Sequence, residues 1–215
     1  MAPPAAANTR EKLLRAGLGL ARRKGLRATT VRAVAAEAGV NLGSFVYHFG
    51  SREAFVGELI ERLYAPLFER LQLDAAGGTP PLVRLRQVLL QLVGWLVEQR
   101  GFLAHLVLDA GAGEAGARSF LQSLDRRHPA IILGLIGEAQ GAGELRRDDP
   151  MHQMLFLMTT LAAPVLLFQL VGQRGIAPAA LAKALARFTT EPALVETRLD
   201  WALRALQPSP EENPA

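Results

Sequence analysis

Thr30, Arg32, Asn41, Ser44 and Arg52 set hydroxyl, amide and guanidinium donors along one short stretch of otherwise small or apolar residues. These are groups that grip phosphate and touch base edges. Thr30 and Ser44 can donate hydroxyl hydrogen bonds to phosphate oxygens, Arg52 adds a charge-assisted contact, and Arg32 is placed to join them. Asn41-Leu42-Gly43-Ser44 then offers an amide for adenine, a leucine for a thymine methyl, a glycine that allows only close backbone approach, and a loosely reading hydroxyl. So weak a reading surface leaves room for recognition through DNA shape. Thr30 and Asn41 serve equally well as helix caps, and capping is compatible with contacting DNA.

Such groups need a frame that shows them on one face. Residues 30–38 read as a short helix with Val31, Val34 and Ala35 inward, Gly39 supplies a turn, and residues 42–48 read as a second helix with Phe45 and Phe49 inward. Ala35, Ala38 and Gly39 are small where the two helices must cross. This is a helix-turn-helix pattern, whose second helix is shaped to enter a DNA major groove. A helix over 9–24 precedes it, capped by Asn8 or Thr9 with Glu11 completing a capping box, and Leu13, Leu14, Gly17, Leu20 and Ala21 form its apolar stripe. Gly25 ends it. Ser51 caps a fourth helix that carries Phe55, Leu59, Ile60, Leu63 and Leu67, with Pro66 expected to kink it.

The rest of the chain is rich in Ala, Leu, Arg and Glu and has no hairpin signals, so an all-α fold is expected. Further helices are predicted over 82–99, 102–110, 115–141 with an interruption at Pro129, 150–171, 178–187 and 191–206. The expected organisation is a disordered arm over 1–8, a DNA-binding domain over 9–53, a ligand-binding and dimerisation domain over 54–207, and a frayed tail over 208–215. Residues 151–173 carry no charge and are long enough to span a membrane. His152, Gln153, Thr159, Thr160, Gln169, Gln173 and the central Pro164 favour instead a helix buried in a core or between subunits, with no membrane partner. Val195, Leu199, Ala202 and Leu206 recur at helical spacing and, with 150–171, are expected to form a four-helix seam between two copies.

The chain has 215 residues, half of them hydrophobic, enough for one or two cores. Its net charge of +4 is unevenly spread: residues 1–53 hold nine basic and three acidic residues, the remainder fifteen and seventeen. A basic first quarter points to an anionic partner. The absence of cysteine excludes disulfides and thiolate metal sites and fits a reducing cytoplasm, and 1–8 lacks the form of a secretory signal. His105 with Asp109 and Asp149 with His152 are two-ligand pairs without a third ligand, so no metal or other cofactor is expected. With no nucleophile elbow, phosphate loop or dinucleotide fingerprint, the chain is not read as an enzyme. A helical scaffold is the nearer alternative and a metal-dependent enzyme the remote one.

Thr9-Arg-Glu-Lys-Leu-Leu-Arg-Ala16, Gly25, the 30–49 block and Ser51-Arg52-Glu53-Ala54 together resemble the tetracycline-repressor (TetR) family of bacterial transcription regulators. The resemblance covers 9–60, about a quarter of the chain. It implies an all-α homodimer whose first three helices bind DNA, whose fourth links to a ligand domain, and whose last helices dimerise. It also implies a repressor released from a palindromic operator when a small molecule binds. That family uses aromatic and imidazole groups against the DNA backbone where Tyr47 and His48 stand here. Val46 replaces a tyrosine common in the family and Gly50 a proline or lysine, which implies fewer backbone bonds per head. The candidate lining of an apolar effector pocket is Trp95, Phe102, His105, Leu106, Phe120, Phe156, Met158 and Phe168.

Overall fold

The computed structural model describes residues 4–172 and 176–208, with side chains from residue 8 onward except at 171 and 172. Residues 1–3 of the expected arm, Gln173, and residues 209–215 of the expected tail lie outside the described residues. Regular structure among the described residues is helical throughout. It comprises α1 (Pro4–Lys24), a 3-10 turn (Leu26–Ala28), α2 (Val31–Ala38), α3 (Leu42–Phe49), α4 (Arg52–Ala75) and α5 (Pro81–Gly111). Then follow α6 (Ala115–Gln122), a second 3-10 turn (Ser123–Arg126), α7 (His128–Gly141), α8 (Pro150–Leu161), α9 (Ala163–Leu167), a π-helical turn (Phe168–Gly172), α10 (Ala179–Thr190) and α11 (Pro192–Leu206).

Two compact units divide the chain: Met1–Ala65 with Gly101–Ser123, and Pro66–Arg100 with Leu124–Ala215. The first unit therefore continues past residue 53 and takes in the start of α4, the end of α5 and all of α6. Its core is built from α1 through α4, where Leu13, Leu14, Leu20 and Val34 close around Phe45, Phe49 and Phe55. The three rings pack at centroid separations of 4.8 to 5.4 Å, in tilted and edge-on pairings that suit aromatic quadrupoles. The second unit buries Leu85, Val88, Leu89 and Leu92 of α5, Ile132, Leu135 and Ile136 of α7, Leu157 and Leu161 of α8, and Leu199, Leu203 and Leu206 of α11.

Several predicted boundaries move, each for a local reason. Helix α1 begins at Pro4, so Asn8 and Thr9 lie inside it rather than capping it, and part of the expected disordered arm is helical. Glu11 pairs with Arg62 instead of closing a capping box. The break expected near Gly101 is absent: the apolar stripe continues through Phe102, Leu103 and Leu106, and one interior glycine costs a helix only about 1 kcal/mol. Helix α4 likewise runs through Pro66. The expected 150–171 helix ends at Leu161, because Pro164 has no N–H to continue the ladder and fits instead in the first turn of α9.

The expected subunit seam also changes. Val195, Leu199, Ala202 and Leu206 are all buried within the chain's own core, so that stripe holds the fold together. Large apolar side chains left exposed lie elsewhere: Met151, Leu155 and Phe156 on α8, and Trp201, 60% exposed, on α11. Pro150–Leu170 is the stretch, among the described residues, that is long and apolar enough to cross a membrane by length and composition, and 33% of its window is buried.

His128, half-buried at the first position of α7, has its pKa lowered to about 4 by burial and by the neighbouring Arg127 charge. The unfolded chain takes up a proton near pH 6.5 that the folded chain refuses until about pH 4. Stability is therefore intact above 6.5 and falls as pH drops toward 4, by at most about 3 kcal/mol from this group. Melting temperatures at pH 7 and 4.5 should diverge in the wild type and converge in His128→Gln. Equal acid sensitivity in the two proteins would count against this account.

Candidate nucleic-acid interface

Caps set the orientation of the two short helices. Thr30 Oγ1 accepts from Ala33 N at 3.2 Å and starts α2. Gly39, in the left-handed region at φ 66°, ends it by turning the chain where a side chain would be strained. Asn41 Oδ1 accepts from Ser44 N at 2.8 Å and starts α3. With Phe45 fully buried and Phe49 at 8% exposure, the opposite side of α3 must face outward. Leu42 is 47%, Val46 56% and Tyr47 80% exposed, and Gly43 is exposed between them. Ser44 and His48 flank this face half-buried, and Thr30 and Arg32 are exposed on the preceding segment. Tyr47 meets the His48 ring edge-on at 5.0 Å.

The geometry narrows what Asn41 can read. Its Oδ1 already accepts from both Ser44 N and Ser44 Oγ, the latter at 3.1 Å, so the adenine-type pairing that needs Oδ1 and Nδ2 together is compromised. Asn41 retains its Nδ2 donor, and Ser44 retains acceptor capacity. The exposed tip of α3 is chiefly apolar and aromatic: Leu42, Val46 and Tyr47.

Arg52 was expected at phosphate; here its guanidinium points into the first unit. Nε donates to Thr29 O at 3.2 Å, Nη1 to Glu114 Oε1 at 3.1 Å, and Nη2 to Leu26 O at 2.8 Å and Glu114 Oε2 at 2.9 Å. Arg10 is held by Glu58 at 2.6 Å with its guanidinium over the Phe49 ring.

Glu114 and Asp109 were not legible as part of this site. Asp109 Oδ2 accepts from Leu26 N at 2.6 Å and more loosely from Arg27 N at 3.4 Å. It thereby caps, from the end of α5, a 3-10 turn whose own N-terminal residue, Gly25, has no side chain to do so. Glu114, 9% exposed at the start of α6, forks onto Arg52. Two carboxylates thus clamp residues 25–30, the link that delivers the chain into α2. The spacing of the sequence pairs Asp109 only with His105, and among the described residues no group of three His, Asp or Glu could hold a metal ion.

The apolar-pocket candidates do not converge. Phe102, His105 and Phe120 belong to the first unit, Trp95, Phe156, Met158 and Phe168 to the second. Phe102 and Phe120 are core residues, Phe120 lying edge-on to Tyr64 at 5.2 Å. Phe156 is 40% exposed and cannot line an interior cavity. Met158 and Phe168 are half-buried, and His105 sits half-buried near Gly25. Trp95 borders an open cleft of about 340 Å³ with Leu67, Leu90, Gln91, Gly94 and Glu98.

Residues 13–59 match the family model described as bacterial regulatory proteins, tetR family. Over 83 residues the chain is 37% identical to the HTH-type transcriptional repressor KstR2 of Mycolicibacterium smegmatis, an alignment covering 39% of this chain and 40% of that protein. The match thus spans about two-fifths of that curated relative's length. The fold is also that of FadR from Bacillus subtilis in complex with stearoyl-CoA, with TM-score 0.70, 16% identity, and coverage of 92% of this chain and 99% of that one. SmeT in its triclosan complex gives TM-score 0.70, 21% identity, and coverage of 97% and 96%. A capped helix-turn-helix with an outward α3, and a family model seated on those same helices, lead to one assignment: residues 13–59 are similar to the tetR family of bacterial regulatory proteins.

Proposed function

We propose that the chain is a homodimeric transcriptional repressor that binds a palindromic operator and leaves it when a small, largely apolar molecule occupies the second unit. The observation that carries this reading is the face of α3: Leu42, Gly43, Val46 and Tyr47 are exposed together on a helix held rigid by two caps and an aromatic core. In this reading Leu42 and Val46 meet thymine methyls, Tyr47, His48, Thr30, Ser44 and Arg32 meet phosphates, and Asn41 donates through Nδ2. The exposed apolar side chains of α8 and α11 support a second copy docking there, and the head pair then mirrors a two-fold operator. The ligand-bound states of FadR and SmeT support release by a small molecule, and the lack of cysteine supports work in the cytoplasm.

The test is a footprint on DNA upstream of the chain's own gene, followed by a salt series. A two-fold symmetric footprint is expected. Affinity should fall by about 10³ or more between 50 and 200 mM salt if some six phosphates are contacted. Tyr47→Ala should weaken binding about tenfold, one phosphate hydrogen bond and its packing, with no loss of melting temperature. Binding that ignores sequence would favour a helical scaffold instead.

A further inference from the structure

Arg198 is out of place by ordinary packing rules. It lies within the buried stripe of α11, between Val195 and Ala202, and is only 2% exposed. Its guanidinium carbon sits 4.5 Å over the Phe188 ring, and Nη1 reaches the Thr160 carbonyl at 3.4 Å, a long contact. Nε and Nη2 are buried without a hydrogen-bond partner. Carboxylates nearby in sequence are committed elsewhere: Glu191 to Arg187 at 3.1 Å, and Glu196 and Asp200 to Arg86 at 3.9 and 3.2 Å. Burial lowers the guanidinium's pKa, yet arginine keeps its proton at neutral pH. A buried cation with idle donors is a costly arrangement, and an anion brought to it relieves that cost.

Other features mark the same region. Phe168–Gly172 forms a π-helical turn that packs against α10, and such turns gather at functional sites. On that turn Gln169 Oε1 is buried with no donor. Phe188 not only stacks on Arg198 but also lines a mainly apolar cleft of about 400 Å³ with Leu181, Ala184, Leu185, Leu194 and Arg187, the last paired with Glu191.

We propose that Arg198 is the anion-holding residue of an effector site in the second unit, and that the effector is a carboxylate on an apolar body. Nε and Nη2 form one edge of the guanidinium, and two parallel donors on one edge match the two oxygens of a carboxylate. The apolar body lies in the cleft bordered by Phe188, whose ring must turn for the acid to reach the guanidinium. This assignment rests on the reading of the chain as a ligand-released repressor and adds the chemical class of the ligand.

The test uses the full chain at constant ionic strength. Straight-chain carboxylates from acetate to dodecanoate, and the alcohols of matching length, are titrated calorimetrically into the wild type, Arg198→Met and Arg198→Lys. At least one carboxylate should bind the wild type tenfold or more tightly than its alcohol. Arg198→Met should erase that preference and Arg198→Lys keep part of it. Without ligand, Arg198→Met should melt no lower than the wild type, because an unpaired buried charge has been removed. The proposal is overturned if no carboxylate outperforms its alcohol on the wild type, or if Arg198→Met retains the preference. It is equally overturned if that variant is monomeric where the wild type is dimeric, since the anion would then come from a second copy. Gel shifts with the same compounds separate the two readings. Carboxylate binding without operator release removes the release mechanism and leaves the site standing, whereas operator binding without carboxylate preference removes the site alone.

Discussion

Gly25→Ala is expected to destabilise the protein by about 3 kcal/mol, lowering its melting temperature by roughly 6 to 12 °C for a chain of this size. Gly25 sits at φ 84° and ψ 170°, a region essentially closed to residues with a Cβ. There is no room either: an added Cβ would lie 2.7 Å from Asp109 Oδ2 and 3.3 Å from His105 Nδ1. The backbone must therefore strain and Asp109 must retreat, and Asp109 is what caps the 3-10 turn over Leu26–Ala28. The two costs are linked. In an Asp109→Ala background the closest clash disappears and the backbone strain and the His105 contact remain, so Gly25→Ala should cost about 1 kcal/mol less there than in the wild type. DNA affinity should fall with stability, because that turn sets where α2 begins. Calorimetry of the four proteins checks the argument. A melting temperature within about 1 °C of wild type for Gly25→Ala would refute it.

What could be read from the sequence follows the range of the interactions. The caps at Thr30 and Asn41, the glycine turn at Gly39 and the inward Phe45 and Phe49 all depend on neighbours three or four residues away, so their spacing declares them. The exposed face of α3 is simply the complement of that inward pair. Arg52 looked like a phosphate ligand because its position at a helix start is local information, whereas its partner Glu114 lies 62 residues on and nothing in the spacing connects them. Asp109 reaches 83 residues back to Leu26 N for the same reason. The α11 stripe shows another limit. Periodicity says that Val195, Leu199 and Ala202 share a buried side, but not whether the chain's own core or a second copy covers it. Arg198 interrupts that stripe, and a cation among residues that must be buried is a sign of a special environment.

Arg52→Ala tests what the clamp does for DNA binding. The substitution leaves Glu114, whose side chain is 7% exposed, as a buried carboxylate without its counter-ion, a loss of about 3 to 5 kcal/mol. It also strips a donor each from the Leu26 and Thr29 carbonyls. Arg52→Lys should recover little, because an ammonium cannot fork onto both Glu114 oxygens while reaching two carbonyls. Arg52→Met with Glu114→Leu should be far more stable than the sum of the single changes predicts, since neither charge is then stranded. Salt dependence of operator binding supplies the decisive measurement. A guanidinium on phosphate contributes about one unit to the slope of log affinity against log salt. With Arg52 committed to Glu114, the double variant should keep the wild-type slope and lose affinity only through a looser 25–30 link. A slope shallower by about one unit would instead return Arg52 to the DNA backbone, and would mean that the operator's phosphate displaces Glu114 when the complex forms.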